Sequence, residues 1–312
     1  MADSRKVYKG VYVIKLIMAY VVVAIHTTDW SLMGLTETAV PYFFIASGFF
    51  LFRKLGGSRE EDLTVIKQWI LKILKLYLIW TAIYLPFTIV GYFKRGLSIT
   101  TYILAFFRNL VFFGENYLSW PLWYLLALVW DGIMLYLMRW LRMPVWSMFL
   151  IGLALFTCEE FFDIHQIPFY TKFFLTTRNG LFLGLVFVTA GGLIYQNNRK
   201  VITRKGLPVY FTLSALAFCG YQYNHLSLLP LAIGLFLISL NINVNVLTDR
   251  LACNIGSISK TIYLAHMAFA GLLLLFFNAK MGAGYFFITS SLVTLFALSL
   301  QLIKKQDLSW IR

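Results

Sequence analysis

Three ionisable residues interrupt the apolar stretch Tyr8–Trp30, YKGVYVIKLIMAYVVVAIHTTDW: Lys15, His26 and Asp29. An ionisable group in hydrocarbon costs several kcal/mol, so by default it marks a functional site. Lys15 and His26 are eleven residues apart. That is about three helical turns, which puts both on one face and about 16 Å apart along the axis. Asp29, three residues further on, falls on the same face if the helix continues through it. The helix then carries a cation near one membrane surface and a His–Asp pair near the other. That arrangement suits a long anionic molecule whose reactive end must reach across the bilayer. A neutral imidazole can take a proton at neutral pH, and a neighbouring carboxylate can orient it and stabilise the imidazolium. The alternative for His26 is a polar residue bonded to a neighbouring helix, for which the alignment with Lys15 is a coincidence.

The elements that must hold these residues are set by composition. The 312 residues are 60% hydrophobic, 18% aromatic and 13% charged, against about 25% charged in a soluble domain. The fold class is all-α: a polytopic membrane protein, one domain over residues 1–312. Its length fits about ten spans of roughly 20 residues. We place them at 11–29, 38–52, 68–91, 120–138, 144–158, 179–196, 207–223, 226–241, 257–278 and 284–303. The first span is no cleaved signal peptide: it is long, contains Lys15 and His26, and no small-residue cleavage site follows it. With the N-terminus inside, 20 of the 27 Lys and Arg face the cytoplasm, six face outward and Lys15 is intramembrane. Both termini are therefore expected in the cytoplasm. The net charge of +14 reports this orientation and does not argue for nucleic acid. Cys158, Cys219 and Cys253 lie far apart and form neither a disulfide framework nor a metal pattern.

This orientation puts Lys15 near the cytoplasmic face and His26 near the outer leaflet. Lys72 and Lys75 share a face near the inner end of the third span. With Lys15 they form a basic mouth for phosphates, or else they snorkel to the boundary as anchors. In the second span, Ala46-Ser47-Gly48 allows close helix approach, expected against the first span; packing is the role assigned to Ser47. Two longer outside segments, about 92–119 and 159–178, are rich in aromatics and carboxylates. Trp120, Trp123, Tyr124, Phe169 and Tyr170 either sit in an interface belt or stack on a sugar or amphiphile, with Glu115 beside them. Arg178 and Asn179 can hold a carboxylate or hydroxyl. Glu159, Glu160, Asp163 and His165 are spaced too loosely for a metal site and read as a solvated loop, as does His225 in its turn. His266 is either a buried histidine bonded to a neighbouring helix or a cavity-lining one.

With these pieces placed, the chain resembles the acyltransferase-3 family of integral membrane acyltransferases over nearly its whole length. The features that carry the resemblance are Lys15 and His26 with ten residues between them, the Lys72/Lys75 pair, FFIASGFFLF (43–52), PLWYL (121–125) and SKTIYLAHM (259–267). The family usually has Arg at 72 and 75, and Pro after the last His where Met267 stands here. Within the family, TRNG (177–180), PLWYLLA and the terminal LSWIR most resemble the membrane portion of vancomycin-resistance serine racemases, whose pyridoxal-phosphate racemase domain has no counterpart here. The resemblance implies transfer of an acyl group, acetyl by family frequency, from cytoplasmic acyl-CoA to a hydroxyl acceptor, typically a cell-envelope carbohydrate, at the outer side of the cell membrane. Lys15, Lys72 and Lys75 would hold the CoA phosphates, His26 would act as base or acyl carrier with Asp29 orienting it, and Glu115, Trp120, Trp123, Arg178 and Asn179 would meet the acceptor; no metal is called for. Two other readings stay open: a transporter of a small amino acid such as serine, and a non-catalytic membrane anchor.

Overall fold

The computed structural model describes residues 6–29, 36–96, 98–164, 180–202, 206–221, 225–277 and 280–303. Among the described residues there is no strand. The helices are α1 (Lys9–Thr27), α2 (Ala39–Phe52), α3 (Arg59–Arg95), α4 (Ile99–Arg108), α5 (Leu122–Trp140), α6 (Val145–Ile164), α7 (Leu185–Gln196), α8 (Leu207–Tyr221), α9 (Leu228–Asn241), α10 (Asp249–Phe277) and α11 (Ala283–Ile303). Five of them (α1, α3, α5, α10 and α11) are long and apolar enough to cross a bilayer unaided, and shorter apolar helices fill in around them. The chain is an all-α polytopic membrane protein. A bilayer core offers no water to unpaired backbone groups, so apolar sequence there is driven into helices.

Ten of these helices coincide with the expected spans. The largest shift is in α3, which runs 37 residues because its start lies upstream of the apolar region. Ser58 and Glu61 form a reciprocal capping box there, satisfying amide groups that would otherwise be orphaned. Just inside, Asp62 is 1% exposed. It accepts from the Gly56 and Gly57 amides and from Arg139 at the far end of α5.

The stretch 92–119, expected as an outside segment, instead holds the additional helix α4 and a π turn, Asn109–Phe113. The π turn is tied to its neighbours by side-chain hydrogen bonds, although Val111 and Phe112 are exposed. Tyr77 Oη donates to the Leu110 carbonyl at 2.8 Å, and Trp130 Nε1 donates to the Val111 carbonyl at 3.3 Å. Both donors come from the bodies of spanning helices, so α4 folds back along α3 into the layer as a re-entrant element. Irregular backbone at such depth requires partners of this kind.

The small residues of α2 do allow a close approach, but to α7 rather than to α1. A Cβ on Gly48 would overlap the Val188 carbonyl, and one on Gly191 would overlap the Ile45 carbonyl. Ser47 Oγ hydrogen-bonds Tyr124 Oη at 2.9 Å, a packing contact with α5. α1 packs instead along α10. Gly256 receives the Tyr12 ring, and Ser259 Oγ donates to the Lys15 carbonyl at 2.8 Å. The residue numbers rise together on both helices, so α1 and α10 run parallel.

The α2–α7 crossing makes a direct prediction. Gly48→Ala or Gly191→Ala should lower stability by about 1–3 kcal/mol, the usual cost of overpacking. Gly284→Ala, whose added methyl meets open space, should be neutral. Thermal melts of the three variants in one detergent would check this, and equal melting temperatures would refute the close crossing.

Candidate active site

The α1–α10 pair carries functional groups at two levels. At the outer level the His26 and His266 rings stack, with centroids 5.4 Å apart and planes 21° apart. Trp120 packs against His26 at a centroid distance of 5.4 Å. His266 is fully buried. Its Nδ1 lies 2.8 Å from the Tyr263 carbonyl. A carbonyl can only accept, so Nδ1 carries a proton. Nε2 has no hydrogen-bond partner among the described residues. A buried ring nitrogen of this kind is expensive to leave without a partner.

His26 lines a cavity of about 580 Å³, and His266 lies buried behind it, outside the cavity lining. His26, Glu115, Trp120 and Trp123, four residues singled out from sequence, line it together with Glu37, Glu159 and Tyr263. Tyr84 Oη donates to the Leu264 carbonyl at 2.7 Å and accepts from the Ala268 amide at 3.2 Å, which levels Tyr84 with His266. α3 ends eleven residues later, at Arg95, roughly 16 Å further out at the helical rise.

Glu159 is no solvated-loop residue: α6 runs on to Ile164, and the Glu159 side chain is 4% exposed in the cavity wall. His225 is exposed, as expected of a turn, but it stands at the cavity rim with Nδ1 3.9 Å from Glu37. Arg178, Asn179, Phe169, Tyr170 and His165 lie outside the described residues. No group of three metal-ligating side chains occurs among the described residues.

Asp29 does not share the face of His26. α1 ends at Thr27, Thr28 is extended with φ −130°, and Asp29 is exposed beyond it. The Thr27 and Thr28 hydroxyls donate to the Val23 and Ala24 carbonyls, occupying acceptors in the last turn. Among the described residues, His266 and Trp120 stack beside His26.

At the inner level, Lys260 comes close enough to Lys15 for their charges to act on each other. Among the described residues no carboxylate pairs with Lys15. Lys72 and Lys75 do not join Lys15 and Lys260. Both are exposed, and they lie about 110° and 170° around α3 from the centre of its buried stripe, Ile66, Ile73, Tyr77, Trp80 and Tyr84, counting about 100° per residue.

Sequence reasoning missed Asp131, in the middle of α5. It is 0% exposed, and neither carboxyl oxygen has a hydrogen bond among the described residues. It fits because Gly184, at the end of the π turn Gly180–Gly184, has no side chain: a Cβ there would overlap the carboxyl. The intramembrane-charge argument that singles out Lys15 applies equally to Asp131.

An all-helical membrane protein with a lysine in its first span and a histidine-lined cavity at that span's end is the class this fold defines. The chain belongs to the acyltransferase-3 family: the family's acyltransferase domain profile matches residues 8–302. An amino-acid racemase of Enterococcus faecalis is 29% identical over 229 residues, covering 65% of this chain and 30% of that protein. A serine/alanine racemase of Enterococcus gallinarum is 29% identical over 223 residues, covering 62% and 30%. The match thus spans under a third of the length of these curated relatives. No solved structure matches the chain.

The fit of Asp131 to Gly184 is testable. Gly184→Ala should cost about 1–3 kcal/mol by overpacking, and adding Asp131→Ala should recover most of the loss. A double-mutant cycle on denaturation in detergent should show coupling of at least about 1 kcal/mol. Additive effects would mean that the two residues are not in contact.

Proposed function

We propose that this protein is an O-acyltransferase of the cell membrane that takes an acyl group, acetyl in the simplest case, from cytoplasmic acetyl-CoA and passes it to a hydroxyl acceptor on the outer side, such as an envelope glycan. The observation that carries this reading is the two-level α1–α10 pair. Lys15 and Lys260 stand at one level and the stacked histidines at the other, with Lys15 and His26 on one face about 16 Å apart along the helix. The donor's diphosphate sits against the two ammonium groups, and its extended arm brings the thioester up to the cavity. Lys72 and Lys75, turned away from the body, anchor α3 at the boundary.

The chemistry follows from the cavity. His26 takes the proton of the acceptor hydroxyl as its oxygen attacks the thioester carbon. The C–S bond breaks, and the leaving thiolate receives that proton from the His26 imidazolium. The electron-rich face of Trp120 favours the imidazolium while it exists. His266, stacked on His26 from outside the cavity, braces that ring. Trp123 and Glu115 supply apolar and polar walls for a ring with hydroxyls.

The relatives are named for racemisation of amino acids, and the second reading is movement of a small amino acid such as serine across the membrane. A cavity open at the outer level is compatible with it, and acetyl-CoA would then be irrelevant to the flux.

Purified protein in liposomes, with labelled acetyl-CoA on the lysine-rich side and envelope extract on the other, separates these readings. Acyl transfer should be present in wild type and fall by about 10²–10⁴ in His26→Ala. Lys15→Ala should raise KM for acetyl-CoA about tenfold or more, the worth of a lost charge-assisted contact, with a smaller effect on kcat. Acetyl-CoA left intact by wild type across several extracts, together with serine flux, would replace the transferase reading by the transporter one.

A further inference from the structure

Asp131 stands at the midpoint of α5, nine residues from either end, or about 13 Å along the axis. Among the described residues no hydrogen bond reaches either carboxyl oxygen, and no charged side chain acts on the group. An ionised carboxylate in that seat would be bare in a medium without water, which is costly. The seat therefore takes the neutral acid, with its proton in place.

The elements packed against α5 bring no countercharge to this level. On α3 the neighbours are Trp69 and Ile70, which press on Gly132, and Asp62 is committed to Arg139, eight residues inward of Asp131. The π turn Gly180–Gly184 reads GLFLG, the π turn Asn109–Phe113 reads NLVFF, and α7 opens LVFVTAGG, all without a charge. Glu159 of α6, which packs on the first of these turns, stands in the cavity wall. Tyr124, seven residues outward on the same α5 face, is the titratable side chain that feels the Asp131 charge. Its hydroxyl is engaged with Ser47 and the Phe43 carbonyl.

The seat of the carboxyl is also part of the cavity wall. A Cβ on Gly184 would overlap the Asp131 carboxyl, and Leu183, the residue before it in the same π turn, lines the cavity beside His26. One peptide bond joins the two, so a movement that parts Gly184 from the carboxyl carries Leu183 with it. α5 cannot give way here, because Gly132 is pressed on Ile70. The π turn can: it is a single turn of i→i+5 bonds, a local departure from the α-helix that recurs at functional sites. For packing alone, an apolar side chain of similar volume would serve as well as a buried ionisable one. What the carboxyl adds is the ability to gain and lose a proton.

We propose that Asp131 is a proton-binding site that controls the cavity wall: with its proton the carboxyl rests on Gly184 and keeps Leu183 in the wall, and without it the carboxylate draws in water, displaces the π turn and opens the cavity at Leu183. One proton passes from the carboxyl to water and back, and no other bond is made or broken. The inference goes beyond the transferase reading and does not need it, since the wall gates whatever occupies the cavity.

The test uses the full chain in liposomes, with the exposed Cys158, Cys219 and Cys253 replaced by alanine. Infrared spectroscopy follows the carbonyl band of the protonated carboxyl, assigned by its loss in Asp131→Asn. A membrane-impermeant maleimide outside follows access to Leu183→Cys and, in a separate variant, to Ile25→Cys, which lines the same cavity from α1. As pH is raised, loss of the band should coincide with a gain in labelling at 183 of about fivefold or more over that at 25, as expected of a locally opened segment. In Asp131→Asn, labelling at the two positions should rise in parallel, following thiol ionisation alone. If that variant does not fold, the comparison of 183 with 25 in the Asp131 protein carries the test. A carboxyl already ionised while position 183 is closed would overturn the proposal. So would loss of the band with no gain at 183 over 25, or opening that follows sodium at constant pH.

Discussion

The parallel pairing of α1 with α10 is the constraint on which the rest of the structure depends. A single hydrogen bond, from Ser259 Oγ to the Lys15 carbonyl, sets the relative height of the two helices. The ring of Tyr12 fills the space left by Gly256 one turn below. At that register His266 stacks on His26. In hydrocarbon, apolar burial gives helices little reason to choose one height over another, so close packing and buried polar bonds fix the register. A slip of one turn would move a histidine by about 5 Å and part the rings.

The other helices hold this pair in place and hollow out the space around it. α2 and α7 cross at the closeness glycine permits. α3 supplies Tyr84, whose hydroxyl is shared between the Leu264 carbonyl and the Ala268 amide. α5 begins at Leu122, just after Trp120 and Pro121, so the aromatic wall of the cavity is also the start of a helix. The polar atoms of the re-entrant segment are paired to side chains of its neighbours, as a low-dielectric environment demands.

Much of this was legible in the sequence, because a bilayer imposes a simple rule on composition. Ten spans follow from apolar length, and the acyltransferase-3 family follows from Lys15–His26 and SKTIYLAHM. The departures have identifiable causes. ITTYILAFFR is ten residues long and flanked by Arg95 and Arg108, so length alone reads it as loop; its apolar face is satisfied only beside α3. Asp29 was placed on the His26 face because helical arithmetic cannot show where a helix stops. The signal available was Thr27-Thr28, two β-branched residues whose hydroxyls compete for the last-turn carbonyls. The His26–His266 and Lys15–Lys260 pairs depend on tertiary register, which no local pattern encodes. Lys72 and Lys75 share a face as expected, but only the packed helix shows that this face turns away from the protein. Asp131 was visible as a carboxyl in a span, whereas its lack of partners and its seat against Gly184 are facts of packing.

The α1–α10 pairing also sets an order of events during synthesis. α1 ends at Thr27 and α10 begins at Asp249, so residues 28–248 are made between the two halves of the site. At about 5–20 residues per second this takes roughly ten to forty seconds. Throughout that interval the face bearing Lys15 and His26 is in place without its cover. The nascent protein must shelter a lysine and a histidine in lipid, or in the insertion machinery, until nearly the last helix arrives. Late closure of this kind makes the reactive face the final part of the molecule to become dry, and a ribosome stalled before Asp249 would leave it exposed.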